Sequence, residues 1–289
     1  MSLSFLSECK EKVLKRIDAL LPDTNKIVSS MRYSALANSK CIRAGLIFAS
    51  GNLNKNLSDS ALIDMATSVE LMHTYSLIHD DLPSMDNDDM RRGQASNHVK
   101  FNEATAILTG DALQALAYEI IVSSPEITKV QKIASIKTLT SACGHKGMIL
   151  GQQYDLDAEN NKYNDIQKIH ELKTGKLIQV AMTMPHLGIE KQKNALLILD
   201  EAGEKLGLAF QIIDDVLEVS SDTSTLGKSN QSDLVNQKLT YVSVYGKQTS
   251  IDKAQILLNA CISKLQDSFS ECEAKNLLDL ARFMVERKN

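Results

Sequence analysis

The run Ser58-Asp59-Ser60-Ala61-Leu62-Ile63-Asp64-Met65-Ala66-Thr67-Ser68-Val69-Glu70-Leu71-Met72-His73-Thr74-Tyr75-Ser76-Leu77-Ile78-His79-Asp80-Asp81-Leu82-Pro83 decides how this chain folds. Leu62, Met65, Ala66, Val69 and Met72 recur three and four residues apart, the spacing of one helical face. Ser58-Asp59 reads as a helix start, and Pro83 ends or kinks the helix because it lacks an amide hydrogen and clashes with the preceding turn. At about 100° per residue, His73, Leu77, Asp80 and Asp81 fall within one stripe. The helix therefore ends on two adjacent carboxylates set among Leu and Ile. Asp86 follows closely enough to fold back beside them.

The same helical spacing dominates the rest of the chain. Leu, Ala, Ile, Met, Lys, Glu and Gln are abundant, and most of them form helices well. Convincing period-two runs are scarce. Tyr241-Val242-Ser243-Val244-Tyr245 is the one strand-like stretch, and we read it as the start of a helix. The pattern predicts helices over residues 4–20, 25–50, 59–81, 101–122, 126–142, 145–157, 163–184, 191–219, 239–266 and 272–287, with Asn102-Glu103 as a second clear start. A polar turn-rich loop follows Ser220. The expectation is an all-α fold.

Composition narrows the class. The 289 residues contain only four prolines and no Pro/Gly/Ser-rich linker, so we expect one domain, residues 1–289. An apolar fraction of 43% is ample for a core. A net charge of −4, with both signs mixed throughout, argues against a nucleic-acid-binding protein. The N-terminus becomes charged too soon for a signal peptide, no uninterrupted apolar stretch looks long enough to span a bilayer, and the last residues carry no prenylation or retention signal. Five scattered cysteines form no Cys-x-x-Cys pair, which suits reduced thiols in a cytoplasmic protein.

A second acidic cluster reads Phe210-Gln211-Ile212-Ile213-Asp214-Asp215-Val216-Leu217-Glu218. On a helix, Gln211, Asp215 and Glu218 stack at i, i+4 and i+7, and Asp214 flanks them. Like charges on one face destabilise a bare helix, and a bound cation offsets the repulsion. Each cluster has a plain alternative, a solvated acidic turn for the first and a surface stripe for the second. An EF-hand loop does not fit the first, because the Asp-x-Asp-x-Asp-Gly spacing and closing Glu are absent. Two such clusters facing one cavity would cage hard divalent cations, and Mg²⁺ shares its octahedral oxygen shell between a few carboxylates, waters and phosphates. Those cations would in turn hold a diphosphate. Arg91-Arg92 lie close by, and arginine reads phosphate by paired hydrogen bonds. Lys173-Thr174-Gly175 interrupts a helical run; Lys228 and Lys238 follow the second cluster; Lys40 and Arg43 share a helical face near the N-terminus. Singly, each lysine reads as a solvated surface charge and His73 as an ordinary histidine. Only the set points to a site.

Taken in order, Leu77–Asp86 with Arg91-Arg92-Gly93, Gly110-Asp111-Ala112-Leu113, Gly151-Gln152-Gln153-Tyr154-Asp155-Leu156, Lys173-Thr174-Gly175, Phe210–Asp215 and Leu226-Gly227-Lys228 resemble the trans-isoprenyl diphosphate synthases, specifically the bacterial-type farnesyl and geranylgeranyl synthases. The resemblance covers nearly the whole chain. It implies the isoprenoid synthase fold, a bundle of long antiparallel helices around a central cavity, and a homodimer. It implies head-to-tail condensation of isopentenyl diphosphate with allylic diphosphates by ionisation, condensation and proton loss. Three Mg²⁺ ions are implied, Mn²⁺ being able to substitute, with Asp80, Asp81 and Asp86 on one side and Asp214, Asp215 and Glu218 on the other. Arg91, Lys173, Thr174, Gln211, Lys228 and Lys238 would serve the allylic diphosphate and its metals, and Lys40, Arg43, His73 and Arg92 would bind isopentenyl diphosphate. Tyr75 and Ser76, roughly 6–8 Å along the helix from Asp80, would form the floor that limits product length. A large aromatic there favours a C15 farnesyl product over C20.

Two stretches depart from the family pattern. Where Gly-Gly-Lys-Arg-x-Arg-Pro is usual, this chain has Asn38-Ser39-Lys40-Cys41-Ile42-Arg43-Ala44. Glu218 stands where aspartate is usual and is one methylene longer. Four other readings stay open here. One is a geranylgeranyl synthase. A non-catalytic regulatory subunit is another, although such partners tend to lose the aspartates kept here. A terpene cyclase would replace the second aspartate-rich motif, and a squalene-synthase-like enzyme suits the lysine pattern and length less well.

Overall fold

A computed structural model describes residues 2–54, 57–160, 162–225 and 239–287. The fold is all-α. The only sheet among the described residues is one antiparallel hairpin with two residues per strand. Packing divides the chain into two compact units, Met1–Lys137 with Met184–Glu190, and Thr138–Thr183 with Lys191–Asn289.

The first unit contains α1 (Ser2–Leu20), α2 (Lys26–Ala35), α3 (Ile42–Gly51), α4 (Asp59–Asp80), β1 (Met90–Arg91), β2 (Gln94–Ala95), α5 (Asn97–Lys100), α6 (Glu103–Ser123) and the first part of α7 (Lys129–Cys143). Caps set the starts. Ser58 Oγ accepts from the Ala61 amide at 3.2 Å, and Asn102 Oδ1 accepts from the Thr105 amide at 2.8 Å, so both predicted starts hold. The middle of α4 is the centre of this unit and packs against α6, α3, α1 and α2. Leu62, Met65, Ala66, Val69, Leu71 and Met72 are all buried, and so are Asp64, Thr67, Ser68 and Glu70, so α4 is enclosed on every side there. Arg16 of α1 donates to the buried Asp64 of α4 at 2.9 Å, which neutralises a charge the core could not otherwise hold. The helix α6 has the length and hydropathy of a membrane span, which qualifies the sequence reading. Its Ala106, Leu113, Ala117, Ile120 and Ile121 are nevertheless buried in this unit.

The structure departs from the sequence reading in several places, and the helix expected over 191–219 runs on to Thr225, into the stretch expected as a loop after Ser220. The single helix expected over 25–50 is two, α2 and α3, parted by the Leu36–Cys41 turn with its Asn38-Ser39 pair. Apolar spacing resumes in phase beyond that turn, which is why the sequence reads through it. The helix expected over 239–266 breaks at Gly246, whose φ of +82° costs only glycine nothing. It leaves α12 (Tyr241–Tyr245), capped by a reciprocal Thr240–Ser243 box, and α13 (Lys247–Gln266). Tyr241–Tyr245 is thus helical, as read. The hairpin was not foreseen. Its turn is Arg92-Gly93, with φ of +55° and +80°, the backbone a two-residue hairpin turn requires.

The second unit contains α8 (Met148–Glu159), α9 (Ile166–His170), a single π turn over Glu171–Gly175, α10 (Lys176–Thr183), α11 (Lys193–Thr225), α12, α13 and α14 (Glu271–Val285). At 33 residues, α11 is about 50 Å long. It packs against α10, α12, α13, α14 and the π turn. Two glycines let neighbouring backbones reach that turn. A Cβ on Gly151 of α8 would lie 2.3 Å from Lys173 N, and one on Gly207 of α11 would lie 2.8 Å from Gly175 Cα. The Lys173-Thr174-Gly175 interruption seen in the sequence is therefore a π turn clasped between α8 and α11.

Gly151→Ala should lower the unfolding free energy by about 1–3 kcal/mol through forced overpacking. Gly175→Ala, whose new Cβ would meet its nearest neighbour, His170 O, at 3.4 Å, should cost less. Urea denaturation of both variants checks the order.

Candidate active site

In the first unit the acidic pair occupies an electrostatically adverse place. Asp80 ends α4 and Asp81 caps it, so both carboxylates sit where the helix dipole already leaves partial negative charge. Such a site gains from any cation brought to it. The following loop folds back as expected: the Asp86 amide donates to the Asp80 carbonyl at 2.9 Å, and the Met85 and Asn87 amides donate to the Leu82 carbonyl. Asp81 is almost fully buried. Burial pushes its carboxyl above the usual range, against the pull of Arg91. Arg91 Nε and Nη2 both donate to Asp81 Oδ1, at 2.9 and 2.5 Å, and Nη2 also reaches Asp88 at 2.9 Å. The hairpin explains the arginine pair. Arg91 on β1 is delivered to Asp81. Arg92 in the left-handed turn lies in the fields of Glu70 and Cys41.

His73 lies in the positive fields of Arg43 and Arg92. Burial and the positive fields of Arg43, Arg92 and Arg91 hold the His73 pKa well below the ordinary histidine range, so the ring is neutral. Lys40 is exposed in the turn before α3. Tyr75 is buried on α4 and stacks edge-on against His79, with centroids 5.5 Å apart. Ser76 is half-buried and donates to the His73 carbonyl. Asp81, Arg91, Arg92, Leu77 and Ile78 also line a small pocket with Tyr33 and Thr74.

In the second unit a hydrogen-bond chain runs from the π turn to α11. Thr174 Oγ1 donates to Gln211 Oε1 at 2.8 Å, and Gln211 Nε2 approaches Asp215 Oδ1 at 3.4 Å. The other Asp215 oxygen accepts from His170 Nε2 at 2.9 Å and from the Tyr241 amide at 2.7 Å. A carboxylate only accepts, so the His170 proton is assigned to Nε2. Lys173 Nζ donates to the buried Asp155 at 2.7 Å. Asp214 pairs with Arg287, whose guanidinium also stacks 4.6 Å above the Phe210 ring. Glu218 is exposed one turn further along. Lys228 and Lys238 lie outside the described residues.

The sequence reading missed Asp155, His170, Arg287 and Glu70. Asp155 lay inside a quoted run, and His170 precedes Lys173 by three, so helical spacing could have found both. Glu70 sits mid-helix between Val69 and Leu71, where an unexplained charge is itself a signal. Nothing local in the sequence ties Arg287 to Asp214, 73 residues away.

The donor chemistry suits hard dications. Asp80 and Asp81 lie at the C-terminal end of α4, with Asp86 in the loop that folds back to it, and Asp214 and Asp215 lie on α11. Among the described residues no three such side chains are drawn together tightly enough to form a metal shell. Basic groups lie against these acids instead: Arg91 on Asp81, Arg287 on Asp214 and His170 on Asp215.

Comparison with known proteins gives the family. A model of the polyprenyl synthetases matches residues 24–280. The chain belongs to the polyprenyl synthetase family. Farnesyl diphosphate synthase of Escherichia coli (strain K12) is 41% identical over 283 residues, covering 96% of this chain and 94% of that one. The apo structure of an FPP/GFPP synthase from Zymomonas mobilis superposes with a TM-score of 0.85 at 31% identity, covering 99% of this chain and 100% of that one. A geranyltransferase from Helicobacter pylori, complexed with magnesium and isoprenyl diphosphate, gives a TM-score of 0.84 at 29% identity, covering 99% and 98%. The all-α architecture is that of these polyprenyl synthetase relatives.

Asp215→Ala should lower stability by about 1–3 kcal/mol even in the presence of a chelator, because it strips the acceptor from a buried imidazole N–H and a backbone amide. Thermal unfolding in EDTA checks this. An unchanged midpoint would mean that the hydrogen-bond chain contributes nothing to the fold.

Proposed function

We propose that this polyprenyl synthetase is a head-to-tail prenyltransferase that condenses isopentenyl diphosphate with dimethylallyl and geranyl diphosphate to farnesyl diphosphate. The observation that carries the reading is the acidic pair at the negative end of α4, set beside the Arg91-Arg92 hairpin. Residues 1–289 act as one domain. Asp80, Asp81, Asp86, Asp214, Asp215 and Glu218 hold three Mg²⁺, for which Mn²⁺ can substitute. Bound there, the ions supply Lewis-acid stabilisation of the departing diphosphate.

The chain's own residues do the rest. Lys173, Lys228, Lys238 and Arg91 bind the allylic diphosphate and balance the charge that grows on it, the largest catalytic contribution in many preorganised sites. Lys40, Arg43, neutral His73 and Arg92 bind isopentenyl diphosphate and hold its double bond in attack geometry. The Thr174–Gln211 pair offers oxygen dipoles to the allylic cation. Water must be excluded, or the cation is quenched to an alcohol. The departed diphosphate takes the final proton. Tyr75, with Ser76 beside it, closes the floor at C15.

The active form is a cytosolic homodimer. Support comes from Ile107, Leu108 and Val122 on α6 and Val130 and Ile133 on α7, large apolar side chains exposed in the first unit. Sedimentation of the purified chain should give twice the monomer mass, and Leu108→Glu should shift it toward monomer. A wild-type monomer would overturn the assembly.

Activity is tested with purified protein, Mg²⁺, isopentenyl diphosphate and C5, C10 or C15 allylic primers. C15 product from the C5 and C10 primers is expected. Asp80→Ala should lower kcat by on the order of 10²–10³-fold or more with an unchanged fold. Tyr75→Ala should lengthen the product by at least one C5 unit. Wild-type turnover in Asp80→Ala would sink the site assignment. An unchanged product in Tyr75→Ala would place the floor elsewhere.

A further inference from the structure

Glu70 is a carboxylate in the middle of α4, only 5% exposed, between Val69 and Leu71, which are fully buried. Such a charge is tolerated only where the structure answers it. Its Oε1 accepts from the Ala44 amide at 2.8 Å, and the Arg43 amide also bonds to it. These two amides belong to the first turn of α3. That helix needs the help: Cys41 is its N-cap residue, held at φ +47°, and makes no side-chain capping bond. Glu70 therefore caps α3 from another helix and places a negative charge at the positive end of the α3 dipole.

Burial pushes the Glu70 carboxyl above the usual range, against the pull of the positive fields of Arg43 and Arg92. Arg43 comes from α3 and Arg92 from the hairpin turn. His73 lies one turn along α4 from Glu70, in the field of the same two arginines. One buried carboxylate thus caps α3 and lies in the fields of arginines from α3 and the hairpin turn. A lone negative charge next to an anion site would oppose binding, so its presence calls for a compensating role. Arginine side chains lose much rotamer freedom when fixed. A buried carboxylate that holds two of them in advance lowers that loss when the ligand arrives.

We propose that Glu70 is the positioning residue of the isopentenyl diphosphate site: it caps α3 and holds the Arg43 and Arg92 guanidiniums beside His73. The proposal rests on the site reading given above. Glu70 does not touch the reacting atoms. It acts through the two arginines.

The experiment is steady-state kinetics on Glu70→Gln, Glu70→Ala, Arg92→Ala and Glu70→Gln/Arg92→Ala, each substrate varied in turn, with thermal midpoints for every variant. Glu70→Gln keeps an acceptor for the α3 amides but loses the charge. It should raise KM for isopentenyl diphosphate on the order of tenfold, as expected for the loss of a charge-assisted contact. KM for geranyl diphosphate should stay within about twofold and the thermal midpoint near wild type. Glu70→Ala should raise the same KM further and lower the midpoint, and the glutamine should partly rescue both. The double variant should fall short of the product of the singles, because Glu70 works through Arg92. If Arg92→Ala raises that KM but Glu70→Gln and Glu70→Ala leave it unchanged, the positioning role is overturned and the site stands. A rise in both KM values together in Glu70→Gln makes the residue merely structural and also overturns the role. If Arg92→Ala leaves the isopentenyl diphosphate KM unchanged, the site reading falls and the proposal falls with it.

Discussion

A carboxylate taken out of water must be answered by a partner, and this protein is organised around that requirement. Asp64 is answered by Arg16, Glu70 by the Ala44 amide of α3, Asp81 by Arg91, Asp155 by Lys173, and Asp215 by His170 and the Tyr241 amide. Each pairing joins segments distant in sequence, so satisfying the charges also fixes which helices lie together. Replacing the acids with apolar residues would leave the helices packed but would remove the carboxylates that these bases answer.

The same bonds position the chemistry. Arg91 and Arg92 are neighbours, yet the left-handed turn at Arg92-Gly93 leaves Arg91 on Asp81 and Arg92 in the field of Glu70. Lys173 and Thr174 leave the helical register through a π turn, and that turn persists because Gly151 and Gly207 admit neighbouring backbones where a Cβ would not fit. One extra residue in a helical turn re-aims the side chains on it, which is a recurrent use of π turns at functional sites. The candidate residues of each unit therefore rest on irregularities, a positive φ and a cross-helix cap in the first and a π turn in the second, each held in place by regular helices around it.

Much of this was legible in the residues alone. Helical spacing over 59–81 located α4 within one residue of its end, and Ser58 and Asn102 marked two starts, because capping is a local interaction between residues three apart. The order of the acidic, lysine and glutamine motifs along the chain carries the resemblance to the polyprenyl synthetases. Boundaries set by backbone conformation were less visible. The Leu36–Cys41 turn and the break at Gly246 depend on φ and ψ, and the apolar spacing on either side conceals them.

The sequence by itself determined the all-α class, the placement of carboxylates at a helix end and the family, since periodicity, capping and motif order are properties of neighbours along the chain. Tertiary structure alone decided which base answers which acid: Arg91 to Asp81, Arg287 to Asp214, His170 to Asp215 and Ala44 N–H to Glu70. Those pairings span between 10 and 73 residues. Their choice rests on the geometry of packed helices and the cost of leaving a buried charge unanswered, and no local pattern encodes either.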